Sequence, residues 1–381
     1  MKIRNIDIFS PYIMVLAIFL YLTLAVVAFN YNIRGLEPAS YLTYYTVLYS
    51  VALFLLGIFA AIYIQKYIKI KKTCYNLVKI TKKVNISASM EKIIVAMVIF
   101  GILLQLINIY LVGGIPLFSG YLKAKAITKV WFISYLIFLP SINILLAKFN
   151  RKWYYGLFAI GLILFAITGY RTTTMAIITS VFITSYYVLN LKFKYIVIFA
   201  ILMLIIGLAV GYIAVMAIEW QQWSLNPLEL FFYRAGYTLN VLDRIVQMPG
   251  ITKGSLLYYT LTGFFKSVDP RIIIGETVLK YRVSTTATIF GPVLLDFGYL
   301  ALGLQMFILG LYLKLLHYLQ KMKMGIYTAF YAIILAHSLI WIETGPTDLI
   351  VWIFFALGLI LILSCYTVKS NSNFKTESGA N

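Results

Sequence analysis

Eight arginines, twelve carboxylates and two histidines hold most of the chemistry open to this 381-residue chain. Arg171 is the most pointed of them: it stands where one apolar run ends, and Thr172-Thr173-Thr174 opens the next. A helix starting there aims unpaired N–H groups and the positive end of its dipole at the guanidinium's own position. Cation, hydroxyls and helix N-terminus together make a phosphate cradle, the alternative being an arginine that reaches for lipid headgroups. Arg282, just ahead of Ser284-Thr285-Thr286-Ala287-Thr288, offers a similar combination, and Arg234 and Arg271 stand in the same long segment. Arg171, Thr172, Arg234, Arg271 and Arg282 are the candidate phosphate ligands. The competing reading of the arginines pairs them with Glu219, Glu229, Asp243, Asp269 or Glu276 to fold a loop. Asp296 lies inside the start of an apolar run, where an ionisable group is costly unless paired or wet. His337, Glu343 and Asp348 gather at the turn Glu343-Thr344-Gly345-Pro346-Thr347-Asp348, His337 reading as a buried hydrogen-bonding residue rather than a base.

Other chemistries find little support. Cys74 and Cys365 form no CxxC or disulfide framework, and neither histidine shares a helix face with metal-ligand partners. No GxxxxGK[ST], GxGxxG or GxSxG occurs. No metal and no cofactor is expected.

The elements that must position these residues are apolar. The chain is 62% hydrophobic and 12% charged, with a mean hydropathy of +0.92, which excludes a soluble enzyme, a secreted scaffold and a disordered chain. Ten candidate spans follow, at 11–30, 41–67, 93–112, 130–147, 153–169, 172–190, 195–218, 290–316, 326–342 and 349–366. The first has a basic flank (Lys2, Arg4) and no A-x-A site, and reads as an uncleaved span. The expected fold is an all-α, polytopic membrane protein with N- and C-termini inside. Residues 1–218 carry spans one to seven, 219–289 a large, partly helical extracytoplasmic loop, 290–366 spans eight to ten, and 367–381 a disordered cytoplasmic tail. Within the loop, 227–248 reads as an amphipathic helix, for which lying on the bilayer is one placement. Tyr237, Tyr258, Tyr259, Trp220 and Trp223 suit interfacial anchoring or stacking on sugars.

The net charge of +20 divides unevenly over that topology: +17 inside, +3 outside. The inner excess is the positive-inside rule and makes nucleic acid an unlikely partner. The outer face is different in kind. Of 24 lysines only 6 are outside, whereas 6 of 8 arginines are (Arg34, Arg171, Arg234, Arg244, Arg271, Arg282). Topology is indifferent to which cation is used, but a guanidinium fork binds phosphate or carboxylate in a way that an ammonium does not.

Three motifs, in order, carry a resemblance: Gly113-Gly114-Ile115-Pro116-Leu117-Phe118, Gly169-Tyr170-Arg171, and Phe290-Gly291-Pro292 leading into Leu295-Asp296-Phe297-Gly298-Tyr299. With the late outer loop, the chain resembles the oligosaccharide repeat-unit polymerases, the O-antigen polymerase-like membrane proteins. One departure is that Lys123, Lys125 and Lys129 stand where such proteins often carry an Arg. The resemblance implies a GT-C-like, metal-independent glycosyltransferase of the cytoplasmic membrane. It would join polyprenyl-diphosphate-linked oligosaccharide units at the outer face to build surface polysaccharide. Its partners would be the lipid-linked oligosaccharide, membrane lipids, and a chain-length regulator or flippase. Asp296 or Asp269 would take the acceptor proton, unless no dedicated base is needed. A ligase-like transferase shares this site physics; a transporter or flippase of lipid-linked sugars would instead favour mid-membrane charges and repeat symmetry.

Overall fold

A computed structural model describes residues 7–67, 88–216, 225–266 and 268–377. Lys2, Arg4, Cys74, Glu219, Trp220, Trp223 and most of the lysines of the first inner segment lie outside the described residues. The described chain is helical throughout. Its elements are α1 (Ile13–Asn30), α2 (Tyr41–Tyr67), α3 (Ala88–Val112), α4 (Gly120–Lys125), α5 (Lys129–Lys148), α6 (Tyr154–Ala166) and α7 (Arg171–Leu189). They continue with α8 (Phe193–Met216), α9 (Pro227–Ile245), α10 (Ser255–Thr262), α11 (Pro270–Ile274), α12 (Gly291–Lys323), α13 (Ile326–Thr344) and α14 (Leu349–Glu377). Seven of these (α1, α2, α3, α5, α7, α12 and α13) are long and apolar enough to cross a membrane. Apolar stretches in α6, α8 and α14 are shorter.

Packing follows small residues, as expected where lipid removes the hydrophobic drive between helices. Gly57 of α2 and Gly310 of α12 sit so close to the facing backbone, at Phe307 and Phe54, that a Cβ at either would overlap a carbonyl. Buried amide and hydroxyl groups supply further contacts: Asn143 of α5 donates to Ser180 Oγ (3.1 Å) and accepts from Thr184 Oγ1 (2.7 Å), both on α7. α13 is the most enclosed element, buried almost continuously from Thr328 to Ser338 between α5, α7 and α12. It delivers its last turn, with Glu343, to the end of the bundle that carries residues 225–290, here called the loop end.

Three local features refine the expected elements. The amphipathic α9 does not lie apart on a lipid surface: its apolar face, including Leu239, Leu242 and Ile245, is buried, and it packs on α1. The helix starts with a full capping box between Asn226 and Glu229, which fixes where its arginines stand. The helix of the last span continues beyond the apolar run, to Glu377. Finally, α12 is broken at Gly298 (φ 79°, ψ −170°). The break leaves the carbonyls of Leu294 and Leu295 without helical partners, and the N–H groups of Gly250 (3.0 Å) and Thr252 (3.1 Å) take them.

Candidate functional site

The site is built on the α6–α7 turn. Gly169, at φ +74°, takes the left-handed conformation that reverses the chain, and α7 begins at Arg171. Tyr170, the N-cap, contributes no side-chain bond to the first turn; its phenol donates instead to the Lys123 carbonyl (2.9 Å). The Gly-Gly-Ile-Pro motif packs on the same turn. Gly113 and Gly114 both have positive φ, a short helix follows at Pro116–Phe118, and the Leu117 N–H donates to the Ile167 carbonyl (2.8 Å). Two motifs some 50 residues apart thus form one structural unit, with the Lys123 side chain lying over Gly169.

Arg171 and Arg234 converge on one acid. Arg171 Nη2 and Arg234 Nε both reach Oε1 of Glu343, at 2.5 and 3.0 Å. Sharing a single oxygen leaves neither guanidinium in the two-pronged pairing that satisfies an arginine fully. Lys123 is the third cation: burial, then the charges of Arg234 and Arg171, hold its ammonium below the usual lysine range. Two guanidiniums therefore face one carboxylate, with the Lys123 ammonium close enough to feel both of them. Arg171, Thr172, Arg234 and Glu343 stand at one part of a cavity of about 260 Å³ whose remaining wall is mostly apolar, with Leu20, Leu24, Met175 and Phe231. A fixed cation pair at the edge of an apolar slot suits an amphiphile with an anionic head.

A second cavity, about 450 Å³, adjoins the first; Thr172 and Ile340 line both. It holds Asp269, Arg271, Asp348, Lys266 and a set of aromatic rings. Asp269 is the N-cap of α11 and accepts from Arg271 N and Nε (both 3.0 Å) and from Ser284 Oγ (3.1 Å). Arg271 Nη2 stands 4.0 Å from Asp348 Oδ1. Burial pushes the Asp348 carboxyl above its usual range, and Arg271 offsets this only in part. His337 also lines this cavity, its Nδ1 2.8 Å from the Ile333 carbonyl and its Nε2 3.1 Å from the Tyr135 hydroxyl. Both ring nitrogens are thus engaged.

Two of the candidates lie elsewhere. Asp296 is 3% exposed and lines neither cavity. Its Oδ1 accepts from Thr252 Oγ1 (2.6 Å) and Leu256 N (3.0 Å), and its Oδ2 from Leu257 N (2.7 Å). Those N–H groups open α10, whose own N-cap is Gly254 and has no side chain to offer. Asp296 caps that helix from across the fold, a structural use of the carboxylate that its hydrogen bonds account for. Arg282 is 83% exposed, pairs with Glu276 at 3.6 Å and lines neither cavity. The Ser-Thr stretch after it builds no second cradle, because Thr285 and Thr288 are buried and Ser284 bonds Asp269. Asp243 likewise serves the fold: it accepts from Ser40 N (2.7 Å), Ser40 Oγ (2.5 Å) and Thr43 Oγ1 (2.7 Å) at the start of α2. Arg34 lies over the Tyr233 ring, 5.6 Å from its centroid. Among the described residues no cluster of three or more His, Cys, Asp or Glu suits a metal ion.

Fold and site define a class: a polytopic helical membrane protein with a cationic, partly apolar cavity at one end of the bundle. Residues 7–355 match the family described as "Putative O-antigen polymerase", and the chain belongs to that family. Two relatives come from Methanocaldococcus jannaschii. The uncharacterized protein MJ0420 is 30% identical over 64% of this chain, and the uncharacterized protein MJ0419 is 28% identical over 77% of this chain and 82% of its own length. The chain spans 58% of the length of MJ0420. No solved structure matches.

Proposed function

We propose that this protein is a glycosyltransferase that polymerises polyprenyl-diphosphate-linked oligosaccharide units at the extracytoplasmic face of the membrane. The observation that carries the reading is the pair of guanidiniums, Arg171 and Arg234, that share one oxygen of Glu343 at the edge of an apolar slot, with Lys123 near both. The lysine-rich segments support placing the loop end outside, with both termini inside and ten spans.

In this reading the smaller cavity takes the lipid diphosphate of one substrate. An acceptor hydroxyl from a second unit, held in the larger cavity, attacks the anomeric carbon. The bond from that carbon to the diphosphate oxygen breaks, and the lipid diphosphate leaves with the negative charge. Arg171, Arg234 and Lys123 stabilise that charge where it develops, without requiring a metal. The acceptor proton passes to a carboxylate of the larger cavity. Asp348 suits this better than Asp269: burial makes it the stronger base, while Asp269 is held by Arg271 and Ser284.

The test is reconstitution with a single lipid-linked repeat unit in the presence of a chelator. A ladder of products with matching release of lipid diphosphate is expected. A single transfer identifies a ligase instead, and transbilayer movement without bond formation identifies a transporter.

A further inference from the structure

α10 has two faces, and the cavities use only one of them. Leu256 and Thr260 are buried, and Tyr259 and Thr260 line the larger cavity. The other face carries Tyr258 (48% exposed), Leu261 (48%) and Phe265 (84%). Steps of three and four residues put these on one side of a helix. The winding continues past the end of α10, since the Lys266 N–H donates to the Thr262 carbonyl (2.9 Å). Large apolar side chains aligned and exposed in this way mark a surface that meets something.

Both ends of the segment are fixed to spanning helices. At its start, Asp296 of α12 holds the Leu256 and Leu257 N–H groups, and the Phe297 ring lies where a Cβ on Gly254 would touch it. Leu300, less than a turn further along α12, is 87% exposed and faces lipid on a helix that crosses the membrane. At its other end, Phe264 packs on Phe132 in the first turn of α5, a second spanning helix (ring centroids 5.3 Å). The exposed face thus lies at the depth of the first turns of α5 and α12, continuous with the lipid-facing side of α12.

The side chains suit that depth. Lys266, which also borders the larger cavity, stands over the Tyr258 ring (4.6 Å) and donates to its hydroxyl (2.5 Å). Lys129 stands over the Phe264 ring (5.3 Å). Ammonium groups beside aromatic rings complement lipid phosphates while the rings enter the acyl boundary. Asp269, the nearest acid along the chain, is turned away to Arg271 and Ser284. A second copy fits the face less well, because a two-fold contact would set these lysines against their own counterparts.

We propose that the Tyr258–Leu261–Phe265 face is seated at the headgroup–acyl boundary of the adjoining leaflet, so that lipid and not protein covers it. The placement on the bilayer that 227–248 left open falls instead to 255–265, whose opposite face then holds one wall of the larger cavity at the membrane surface. Nothing in this depends on the transferase reading.

The test is nitroxide labelling of Leu261→Cys and of Phe265→Cys, each in the full-length protein with Cys74→Ser and Cys365→Ser, in nanodiscs of phosphatidylcholine and phosphatidylglycerol. Collisions with oxygen, which concentrates in lipid, are compared with collisions with a water-soluble nickel chelate. Leu300→Cys supplies the lipid standard and free label in buffer the aqueous one. Loss of most nickel collisions at both positions, with oxygen collisions in excess as at Leu300→Cys, is the expected result. Nickel collisions in excess at either position would show a face bathed in water and overturn the proposal. Spin–spin broadening that disappears on dilution with unlabelled protein would show a second copy on the face and overturn it equally.

Discussion

Arg171→Lys separates charge from geometry at the cationic cavity. The substituted ammonium still pairs with Glu343, and the local charge is unchanged, so the fold should hold. What is lost is the free part of the guanidinium, since only Nη2 of Arg171 is spent on Glu343. A charge-assisted hydrogen bond of this kind contributes about 1.5–3 kcal/mol. If it is made to the departing diphosphate, its loss lowers kcat/KM about 10- to 150-fold. The assay is product-ladder formation by reconstituted protein, with thermal unfolding measured beside it. The expected result is a strongly reduced ladder with the melting midpoint within a few degrees of wild type. Wild-type rates and ladder lengths in Arg171→Lys would refute the argument, because they would show that nothing in the reaction uses the fork.

Three further outcomes follow. With its pKa raised by burial, Asp348 should place the acid limb of the pH–rate profile above the ordinary carboxylate range, and Asp348→Asn should lose about 10²- to 10⁴-fold in rate. The linkage has the opposite sign to a salt-bridged acid: a raised folded-state pKa means wild type loses stability as pH rises through it, and Asp348→Asn should lack that decline in thermal scans. Asp296→Ala should destabilise by about 0.5–2 kcal/mol, the value of a helix N-cap, while the folded fraction keeps its specific activity; a catalytic Asp296 would show the reverse pattern in denaturation and ladder assays. At the opposite end of the bundle, Asp7 binds His317 Nε2 (2.8 Å) and Lys321 Nζ (2.5 Å), and these outweigh burial to hold its carboxyl well below the usual range. Asp7→Asn should lower the melting midpoint at neutral pH, and the difference from wild type should begin to shrink as pH falls through the ordinary aspartate range and vanish only well below it, where the folded-state carboxyl takes up its proton.

Much of the fold was legible because lipid imposes a simple demand: long apolar runs satisfy their own backbone as helices. The turn at Gly169-Tyr170-Arg171, with a helix starting at Arg171, could be read in the same way. The partners could not. Arg171 and Arg234 meet Glu343, 172 and 109 residues away, rather than the acids of the long loop. The lysine that departs from the resemblance, Lys123, lies over Gly169 within electrostatic reach of Arg171 and Arg234, a placement visible only once the Gly-Gly-Ile-Pro motif packs on the α6–α7 turn. The capping contacts of Asp296 were not legible, because a charge in an apolar run signals function and trans capping alike. Gly298 and Gly254 were the available clues: one breaks the helix beside Asp296, the other leaves a helix start without a capping side chain. Asp348 was visible at its turn, but its place beside Arg271 is set by a contact between segments some 77 residues apart.

The central claim is that the cavity holding Arg171 and Arg234 binds a lipid diphosphate. Equilibrium binding of sugar-free polyprenyl diphosphate to the protein in nanodiscs tests it most directly, comparing wild type with the Arg171→Gln/Arg234→Gln double variant. Saturable binding by wild type, weakened at least tenfold in the double variant, is the expected result. Failure of wild type to bind, or equal binding by both, would contradict the account.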